Sequence, residues 1–498
     1  MPDDLMEGGM AKGLEALSFD NSYARLPEHW YQRIDIKPLK GAHLASFNPP
    51  VAAMLGLDPC ELDPDRLVSQ INGDVSVPGA DPIAMKYTGH QFGFYNPDLG
   101  DGRGLLLGEV INDKRERWDI HLKGIGRTAY SRFGDGRAVL RSSIREYLAS
   151  EAMAGLGIPT TRALCLVASD QFTQRNGMEP CAVLARVTPC HIRFGHFEYF
   201  FYSRRYDELK QLADYTIDRY YPECRKADNP YLAFYQAVQS RTASLVALWQ
   251  CYGFVHGVLN TDNMSVLGET FDYGPYTFMD RYEPGFVANK NDDEGRYAFD
   301  RQPEIVLWNM SALAQALVPL VPQKELEQSL VGFMKEFRDQ EALRMRARLG
   351  FQREEKGDRE LVDAFFRIAR ECQLDINRFL YALTEANDFN GLDLASLCGR
   401  CDTDGSLSEW LGHYRERLAR EAASEPIRRA QMRAVNPRYV LRNYMAEEVI
   451  REAHNGDYKP LNNLLALLRT PAEKNEQLDH YAGTPPDWAG AICLTCSS

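Results

Sequence analysis

The sequence predicts an α+β protein, with a β-rich first part followed by a large helical part. Residues 118–123 alternate apolar and polar side chains, which is the two-residue period of a strand with one buried face. Two further apolar runs, at 163–168 and 181–187, flank an Asn-Gly pair at 176–177 that is typical of a hairpin turn. From about residue 200 onward, strand-like runs are few and apolar residues recur with the spacing of one helix face.

The helical spacing and the loop composition together predict how the chain is divided. Helices are predicted at 139–156, 232–252, 305–320, 324–349, 361–372, 407–423, 439–453 and 460–468. The first sixty residues are rich in loops but carry aromatic anchors, so we expect them to be an ordered wrapping segment. The predicted segments are this wrapping segment (1–60), a β-rich lobe (61–198), a helical lobe (199–470) and a tail (471–498).

Composition and charge exclude several classes of protein. Of the 498 residues, 44% are hydrophobic and 26% are charged, which is enough apolar surface for a sizeable core. The net charge of −13 disfavours nucleic acid as a partner, because phosphate backbones select basic surfaces. The N-terminus matches neither a signal nor a transit peptide, and no run is long enough to span a membrane. With 11 scattered cysteines and no secretion signal, we expect reduced thiols and a cytoplasmic protein. We also expect a monomer without a membrane or nucleic-acid partner.

A glycine-rich turn precedes the apolar run at 105–110. Its glycines at 100, 102 and 104 give a flexible backbone whose N–H groups could face phosphate oxygens. Turns of this kind are also common in ordinary hairpins, so the turn alone specifies no ligand. Lys123 ends the alternating strand that follows, where kinases place their phosphate-binding lysine. A strand lysine is usually a solvated rim residue, but the neighbouring glycines favour a phosphate site.

Further charged residues surround this candidate phosphate site in the sequence. The predicted helix at 139–156 carries Glu146 and Glu151, and either carboxylate could pair with Lys123. Arg186 ends the second strand of the predicted hairpin, and Arg193 follows seven residues later. Isolated arginines are commonly only solvated, but guanidinium groups bind phosphate oxygens in a bidentate manner. Two of them in this position favour a clamp on phosphate.

We expect the rest of the chain to be organised around the stretch from 256 to 274. It reads H-G-V-L-N-T-D-N at 256–263 and, eight residues on, D-Y-G at 272–274. A His-led loop ending in Asn, followed by an Asp-aromatic-Gly triplet, holds metal ions against nucleotide phosphates in kinase-like enzymes. However, Val258 occupies the position of the kinase catalytic aspartate, and Asp262 stands directly before the asparagine. The loop is therefore either a defective kinase loop or one with different chemistry.

An acidic segment at 284–302 follows the D-Y-G triplet. It contains the run N-D-D-E-G at 291–295. Its place in the chain is that of an activation segment or a substrate platform. A solvated loop is an equally good interpretation of its composition.

The tail ends in C-L-T-C-S-S at 493–498. A C-x-x-C pair can act as a redox pair or supply half of a zinc site. Cys398 and Cys401 could complete four thiolates. Because they lie more than ninety residues away in the sequence, they are more simply explained as ordinary loop cysteines.

These pieces together resemble the selenoprotein O family of protein adenylyltransferases, which have a protein-kinase-like fold. The resemblance covers essentially the full length, from F-D-N at 19–21 to the terminal C-x-x-C and Ser-Ser. Its most specific piece is the block S-R-F-G-D-G-R-A-V-L-R-S-S-I-R-E at 131–146. The other pieces are G-H-Q-F-G at 89–93, L-G-D-G-R at 99–103, Arg186, H-I-R at 191–193, N-T-D-N at 260–263, F-D-Y-G at 271–274 and N-P-R-Y-V-L-R-N at 436–443.

The resemblance implies a bilobal kinase-like fold with a β-rich N-lobe, a large helical C-lobe and family-specific extensions. It implies that ATP binds in a flipped orientation, so that AMP passes to a protein Ser, Thr or Tyr hydroxyl and pyrophosphate leaves; UTP is an alternative nucleotide. Mg²⁺ or Mn²⁺ would be held by Asn263 and Asp272, with Asp262 as the proton acceptor and Glu146 paired with Lys123. The residues implied to contact the nucleotide are Gly100, Gly102, Arg103, Lys123, Asp135, Gly136, Arg186, Arg193 and Asp272. In this interpretation Asp262, which does not occupy the position of the kinase catalytic aspartate, matches nucleotide phosphates that do not occupy their kinase positions either.

The chain departs from the family in its cysteines. In the family, a tail cysteine can form a disulfide with a cysteine of the activation segment. This chain has no cysteine between Cys251 and Cys372, so that disulfide cannot form. The tail carries cysteine where some relatives carry selenocysteine, and its pair could still close on itself or bind a partner thiol.

Two other functions remain open from the sequence. An atypical kinase would transfer the γ-phosphate, which Val258 in the catalytic position disfavours. A non-catalytic nucleotide-binding or redox scaffold would have no need of Lys123, Asn263 and Asp272 together. The fate of the α- and γ-phosphates distinguishes all three functions.

Overall fold

An antiparallel sheet and a large set of helices make up the structure, a computed structural model that describes residues 12–175, 177–387, 389–400 and 405–495. The predicted α+β class is confirmed. The described residues fall into two units. The first contains those within Met1–Lys86, Asp98–Tyr147 and Thr161–His191, and the second those within Tyr87–Pro97, Leu148–Thr160 and Ile192–Ser498. The division into four segments stays a prediction.

Strands concentrate in the first unit. They are β1 (Tyr31–Arg33), β2 (His43–Phe47), β3 (Ile83–Met85), β4 (Gly89–Gln91), β5 (Phe94–Asn96), β6 (Gly104–Ile111), β7 (Arg117–Lys123), β8 (Ala138–Val139), β9 (Arg162–Gln174), β10 (Met178–Thr188), β11 (Phe254–Val255) and β12 (Thr277–Phe278). Among the described residues, eight of them form one antiparallel sheet in the order β1-β3-β6-β7-β10-β9-β2, with β8 paired to β10. The pairs β4–β5 and β11–β12 lie in the second unit.

The core of the first unit lies against this sheet. Ile120 and Leu122 of β7 are fully buried, as the alternating pattern predicts, and they join a cluster that includes Leu105 and Leu107 of β6. Helices α1 (Pro49–Leu55) and α2 (Pro64–Asn72) pack on the sheet at β9. The polar face of β7 is buried as well, since Lys123 is only 4% exposed. The alternation alone does not reveal that this strand is covered on both faces.

The remaining helices lie mostly in the second unit. They are α3 (Leu140–Gly155), α4 (Phe194–Tyr202), α5 (Tyr206–Tyr220), α6 (Pro230–Tyr252), α7 (Gln302–Leu317), α8 (Gln323–Val331), α9 (Phe333–Arg348), α10 (Asp358–Glu371), α11 (Ile376–Glu385), α12 (Leu394–Leu397), α13 (Ser406–Leu418), α14 (Glu425–Arg433), α15 (Asn443–His454) and α16 (Lys459–Arg469). Helix α6 packs against α7 and α9. No helix among the described residues is both long and apolar enough to cross a bilayer.

The predicted helix at 324–349 is wrong as a single element. It consists of α8 and α9, which are divided at Gly332, a residue of low helix propensity. The Gly332 N–H donates to the Ser329 carbonyl at 2.9 Å, and Gly332 in turn accepts from Glu336 at 3.0 Å. The helix predicted from residue 439 also begins later, at Asn443. Hydrophobic spacing continues through both places, so that spacing alone does not mark the boundaries.

Helix α6 delivers the chain to the stretch at 256–274. The Asn229 side chain caps its first turn by accepting from two backbone N–H groups, and Pro230 occupies the position where a proline is best tolerated. The helix stops at Gly253, whose φ of 69° is left-handed and suits glycine. Strand β11 follows at once and pairs with β12. The two short strands therefore hold both ends of the intervening loops.

Candidate active site

Glu146 joins two cations in the first unit. Lys123 at the end of β7 donates to Glu146 Oε2, and Arg186 on the neighbouring strand β10 donates through Nε to Oε1 at 2.5 Å. All three side chains are at most 5% exposed. Of the two carboxylates that the sequence offered, Glu151 pairs instead with Arg469 at 2.8 Å. The structure thus brings Lys123, Glu146 and Arg186 together.

The pKa values in this cluster follow from its burial and its charges. Burial, helped by the nearby charges of Arg103 and Arg186 and opposed by Glu146, lowers the pKa of Lys123 to about 8. Burial would raise the pKa of Glu146, but the charges of Arg186 and Lys123 outweigh it and leave this pKa below its ordinary value. The cluster therefore carries more positive than negative charge near neutral pH. Such a cluster can attract an anion such as a phosphate.

The glycine-rich turn is held beside this cluster by main-chain pairing. Gly104 lies opposite Lys123 in the β6–β7 register, and the Arg103 carbonyl accepts from the Gly124 N–H at 2.6 Å. The Arg103 residue is exposed. Gly102, two residues after Gly100, runs against another loop so closely that a Cβ would lie 2.8 Å from the Tyr130 carbonyl oxygen. Close packing against Tyr130 therefore explains why glycine stands at both positions. This structural reason exists beside the predicted role of the turn in phosphate binding.

Asp135 and Gly136 also have partners within the first unit. The Asp135 carboxylate accepts from Arg175 Nη2 at 2.7 Å and from the Thr173 hydroxyl. Burial would raise the pKa of Asp135, but these hydrogen bonds outweigh it and hold the pKa well below its ordinary value. Gly136 has a φ of 73°, and a Cβ there would overlap the Gly126 carbonyl. Asp135 is thus an ionised, partly exposed carboxylate in a loop that the hairpin β9–β10 fixes.

Buried amides of helix α7 hold the loop at 256–263 in the second unit. The Gln302 side chain accepts from the His256 N–H at 2.8 Å, and Asn309 donates to the Leu259 carbonyl at 3.0 Å. Both amide side chains are completely buried. The loop then closes with one turn of 3₁₀-helix, Thr261–Asn263. This turn presents Asp262 and Asn263 in succession.

Arg193 connects this turn to the D-Y-G triplet. Its Nη1 donates to the Asp262 carbonyl oxygen at 2.8 Å and forms an ion pair with the Asp272 carboxylate. The guanidinium lies between the rings of Tyr87 and Phe271, at 4.6 and 4.7 Å from their centroids. Asp272 itself has a φ of 59°, a left-handed conformation that is uncommon outside glycine. The structure places Arg193 in the second unit and Arg186 in the first, so the two predicted clamps have different partners.

The Asp262 carboxyl lies in an environment that favours its protonated form. Burial raises the pKa of Asp262 to about 7; Arg193 lowers it, while the charges of Asp272 and Glu198 raise it. The residue is 8% exposed. A carboxyl with a pKa near neutrality can both accept and release a proton under ordinary conditions. This property fits the proton acceptor that the sequence predicts.

The donor atoms at this turn fit a hard divalent cation. Within the part of the chain that the structure describes, Asp262 Oδ1 and Asn263 Oδ1 are buried and have no hydrogen-bond partner. Buried oxygens in proteins are nearly always hydrogen-bonded, so two such atoms in successive residues indicate a missing partner. Asp272 adds a carboxylate that Arg193 ties to the same turn. The described residues hold no group of three or more His, Cys, Asp or Glu side chains suited to a metal. A site of one amide and one carboxylate suits Mg²⁺, which keeps several waters and binds phosphate oxygens.

Sequence reasoning missed a network behind the Thr261–Asn263 turn. Glu198 of α4 is completely buried; it accepts from the Thr261 hydroxyl at 2.9 Å and lies 3.1 Å from His90 Nδ1. The Thr261 hydroxyl in turn accepts from the His90 N–H at 2.7 Å. Thr261 directly precedes Asp262, so the network fixes the turn from behind. The G-H-Q-F-G motif at 89–93 is the signal in the sequence, although nothing there identifies its partners.

The tail lies against the acidic segment despite the missing cysteine. The Lys290 N–H donates to the carbonyl of Leu494 at 2.9 Å, and Leu494 is only 7% exposed. Cys493 is exposed and Cys398 is partly buried. Cys401 and Cys496 lie outside the described residues, so the zinc and redox-pair interpretations stay predictions. The contact with residue 290 places the end of the described tail beside the acidic segment.

Comparison with known proteins identifies the family. The family described as Protein adenylyltransferase SelO matches residues 13–469. The chain belongs to the SelO family. A SelO relative from Hahella chejuensis (strain KCTC 2396), named Protein nucleotidyltransferase YdiU, is 56% identical over 491 residues, covering 98% of this chain and 99% of the relative. Relatives of the same name from Azotobacter vinelandii and Vibrio vulnificus are 49% and 47% identical and cover 98% and 97% of this chain.

Membership in the SelO family confirms two predictions made from the sequence. The predicted family is correct, and the chain is a nucleotidyltransferase. Nucleotidyl transfer of the AMP type therefore describes the general activity, and a nucleotide such as ATP is its substrate class.

Proposed function

We propose that the protein transfers AMP from ATP to Ser, Thr or Tyr hydroxyls of proteins, with divalent metal and with release of pyrophosphate. The observation that carries the proposal is the Asp262-Asn263 turn. Its two buried Oδ1 atoms have no hydrogen-bond partner among the described residues, and the pKa of Asp262 is raised to about 7. A proton acceptor and a metal ligand in successive residues are what an attack by a hydroxyl on a metal-bound phosphate needs. UTP is a second nucleotide to be tested.

Proton transfer is the role we assign to Asp262. It accepts the proton of the acceptor hydroxyl as that oxygen bonds to the α-phosphorus, and the bond from the α-phosphorus to the bridging oxygen of pyrophosphate breaks. General-base help of this kind contributes about 10²–10⁴-fold in rate. Arg193, bonded to the Asp262 carbonyl and the Asp272 carboxylate, keeps the turn and the triplet in register.

Charge neutralisation is the role we assign to the buried Lys123 and Arg186 and to the exposed Arg103. Pyrophosphate gains negative charge as it leaves, and buried cations stabilise that charge strongly. Glu146 holds Lys123 and Arg186 in fixed orientations through its two oxygens. Bound at Asn263 and Asp272, Mg²⁺ or Mn²⁺ would neutralise phosphate charge. Gly100, Gly102, Asp135 and Gly136 complete the proposed nucleotide contacts.

A kinase-like fold with a nucleotide bound in the flipped orientation also belongs to this proposal. It is supported by the antiparallel sheet that carries Lys123, by the Lys123–Glu146 pair and by the loop that ends in Asn263. The same pair and loop would serve an atypical kinase. Val258, however, leaves such a kinase without its usual base. Transfer of the α-phosphate is therefore the function that these residues support best.

Product analysis tests the proposal. The protein is incubated with ATP, Mg²⁺ or Mn²⁺ and a mixture of bacterial proteins, and the released products are separated. Pyrophosphate without ADP is expected. ADP as the product would identify a kinase, and unchanged ATP would identify a non-catalytic scaffold.

A further inference from the structure

The G-H-Q-F-G motif forms a hairpin that is bonded to the catalytic turn along its length. Strands β4 and β5 are joined by a two-residue loop, Phe92 and Gly93, with φ values of 50° and 85°. Two successive positive φ values are the signature of a tight type I′ hairpin turn. The left-handed conformation is unfavourable for a non-glycine residue such as Phe92. An aromatic residue at this position therefore indicates a requirement for its side chain.

Hydrogen bonds fix this hairpin to residues 260–262. The Phe92 N–H donates to Asn260 Oδ1 at 3.1 Å and to the Tyr297 hydroxyl at 3.0 Å. Gln91 Nε2 reaches Asp262 Oδ2 at 3.4 Å. Phe92, at the tip of the hairpin, consequently follows directly on Gln91, whose side chain contacts the proposed proton acceptor Asp262.

A cleft opens at the tip of the hairpin, next to the acidic segment. It has a volume of about 590 Å³ and is lined by Phe92 and Phe94 of the hairpin and by mostly charged residues between positions 291 and 305. We call it the acceptor cleft. Phe94 is 80% exposed, which leaves its ring open to a partner, and it lies in the same cleft as the partly exposed Phe92.

The charge of the acceptor cleft is negative. Asp292 is used internally, because its two oxygens accept from the N–H groups of Arg296 and Tyr297 at 2.9 and 2.7 Å. In contrast, Asp293, Glu294 and Glu304 are exposed, and they form no ion pair within the described part of the chain.

The two arginines of the acceptor cleft are partly engaged elsewhere. The Arg296 guanidinium lies 5.1 Å from the centre of the Trp308 ring. Arg301 Nη1 lies 3.4 and 3.3 Å from the main-chain oxygens of Glu294 and Gly295. Four carboxylates against two guanidinium groups repel a nucleotide and attract a basic group.

We propose that the acceptor cleft binds the segment of the acceptor protein that carries the hydroxyl, and that it selects segments with a lysine or arginine near that hydroxyl. This inference rests on the proposed function, since it takes Asp262 as the proton acceptor. The aromatic tip receives an apolar part of the segment, and the carboxylates of Asp293 and Glu294 receive the basic side chain. A polypeptide of this charge is complementary to the cleft, whereas RNA and free nucleotides are not.

Binding of two synthetic peptides tests the inference without any need for catalysis. The peptides are identical and carry one tyrosine, which is flanked either by lysines or by glutamates, and each bears a fluorophore for anisotropy at low salt. The wild-type protein is expected to bind the lysine peptide at least ten-fold more tightly. The double variant Asp293→Lys/Glu294→Lys is expected to lose that preference.

A matched control separates the cleft from the overall charge of the protein. The variant Glu473→Lys/Glu476→Lys changes two exposed carboxylates outside the cleft by the same net charge, and it is expected to keep the preference. Phe94→Ala should weaken the binding of both peptides by a similar factor, since the Phe94 ring contacts the apolar part of the peptide in this proposal. Equal affinity of the wild-type protein for both peptides, including no binding of either, would overturn the inference. Equal loss in the control and cleft variants would also overturn it.

Transfer of α-labelled AMP to the same peptides distinguishes the two proposals. Label on the lysine peptide with at least ten-fold higher kcat/KM supports both. Label on both peptides at equal kcat/KM overturns the acceptor cleft alone. Binding preference without label on any peptide or protein supports the cleft as a basic-peptide site and overturns the adenylyl-transfer proposal.

Discussion

Arg193 is ion-paired with Asp272, so a guanidinium predicted to contact the nucleotide is bonded to the carboxylate predicted to hold the metal. The pair links two motifs that are 79 residues apart in the sequence. The Arg193 side chain is 2% exposed and the Asp272 side chain 19%. Removing one partner of such a pair leaves the other charge largely buried and uncompensated.

Arg193→Met should therefore destabilise the protein and abolish transfer. The expected loss is about 3–5 kcal/mol in the free energy of unfolding, measured by urea denaturation. Arg33→Met is the control, because Arg33 and Asp81 form a surface pair with side chains 48% and 32% exposed. That change should cost at most about 1 kcal/mol. Similar losses in the two variants would contradict the structural role of Arg193.

Glu146→Gln should shift the pH dependence of transfer toward acid. The pKa of Lys123 is lowered to about 8 because burial outweighs the Glu146 charge that raises it, so removal of that charge moves the Lys123 pKa lower still. Activity that needs charged Lys123 is present below this pKa and is lost as the pH rises through it. The alkaline limb of kcat/KM, which reports the free enzyme, should therefore begin below that of the wild-type protein.

Glu151→Gln is the matched control on the same helix. Glu151 is buried and paired with Arg469, so this variant should lose stability without moving the alkaline limb. A shift of the limb by Glu151→Gln, or none by Glu146→Gln, would contradict the assignment of Lys123.

Asp262→Asn should lower the rate of transfer by about 10²–10⁴-fold while it leaves ATP affinity nearly unchanged.

Asp262→Asn should also change the free energy of unfolding of protein stripped of divalent cations by a chelator. Burial raises the pKa of Asp262 from 3.8 to about 7, so its contribution to the free energy of unfolding is present below pH 3.8 and lost as the pH rises to 7. At pH 8 the variant should be the more stable protein, by up to about 4 kcal/mol. Urea unfolding at pH 5 and pH 8 measures the difference, and a variant less stable than wild type at pH 8 would contradict the raised pKa.

Asn263→Ala and Asp272→Asn should both remove binding of Mn²⁺ in the presence of ATP. The first removes a buried oxygen that has no hydrogen-bond partner in the described structure, and the second removes a carboxylate charge. Electron paramagnetic resonance of bound Mn²⁺ gives the affinity directly. Asp300→Asn, which changes an exposed carboxylate of the same unit, should keep the wild-type affinity. Unchanged Mn²⁺ affinity in both test variants would place the metal elsewhere.

Local patterns in the sequence predict much of the fold. The alternation at 118–123 and the Asn-Gly turn identify β7 and the hairpin β9–β10, because strand period and turn chemistry are local properties. The glycine that divides α8 from α9 was missed, because the hydrophobic spacing continues across it.

The candidate site depends more on contacts between distant residues. Motif spacing predicts a phosphate-binding role for Lys123, but it leaves Glu146 and Glu151 both open as its partner, and only the family resemblance implies Glu146 and a proton acceptor at Asp262. The contact of His90 with Glu198 spans 108 residues and has no local signature. The burial of Asp262, which raises its pKa, likewise has no local signature in the sequence.

The fate of the two labelled phosphates tests the central claim most directly. The protein is incubated with Mg²⁺ or Mn²⁺, acceptor proteins and ATP labelled either on the α- or on the γ-phosphate, and the protein fraction is counted. Label from the α-phosphate alone, incorporated about 10²–10⁴-fold more slowly by Asp262→Asn, is the predicted result. Label from the γ-phosphate alone would contradict the account.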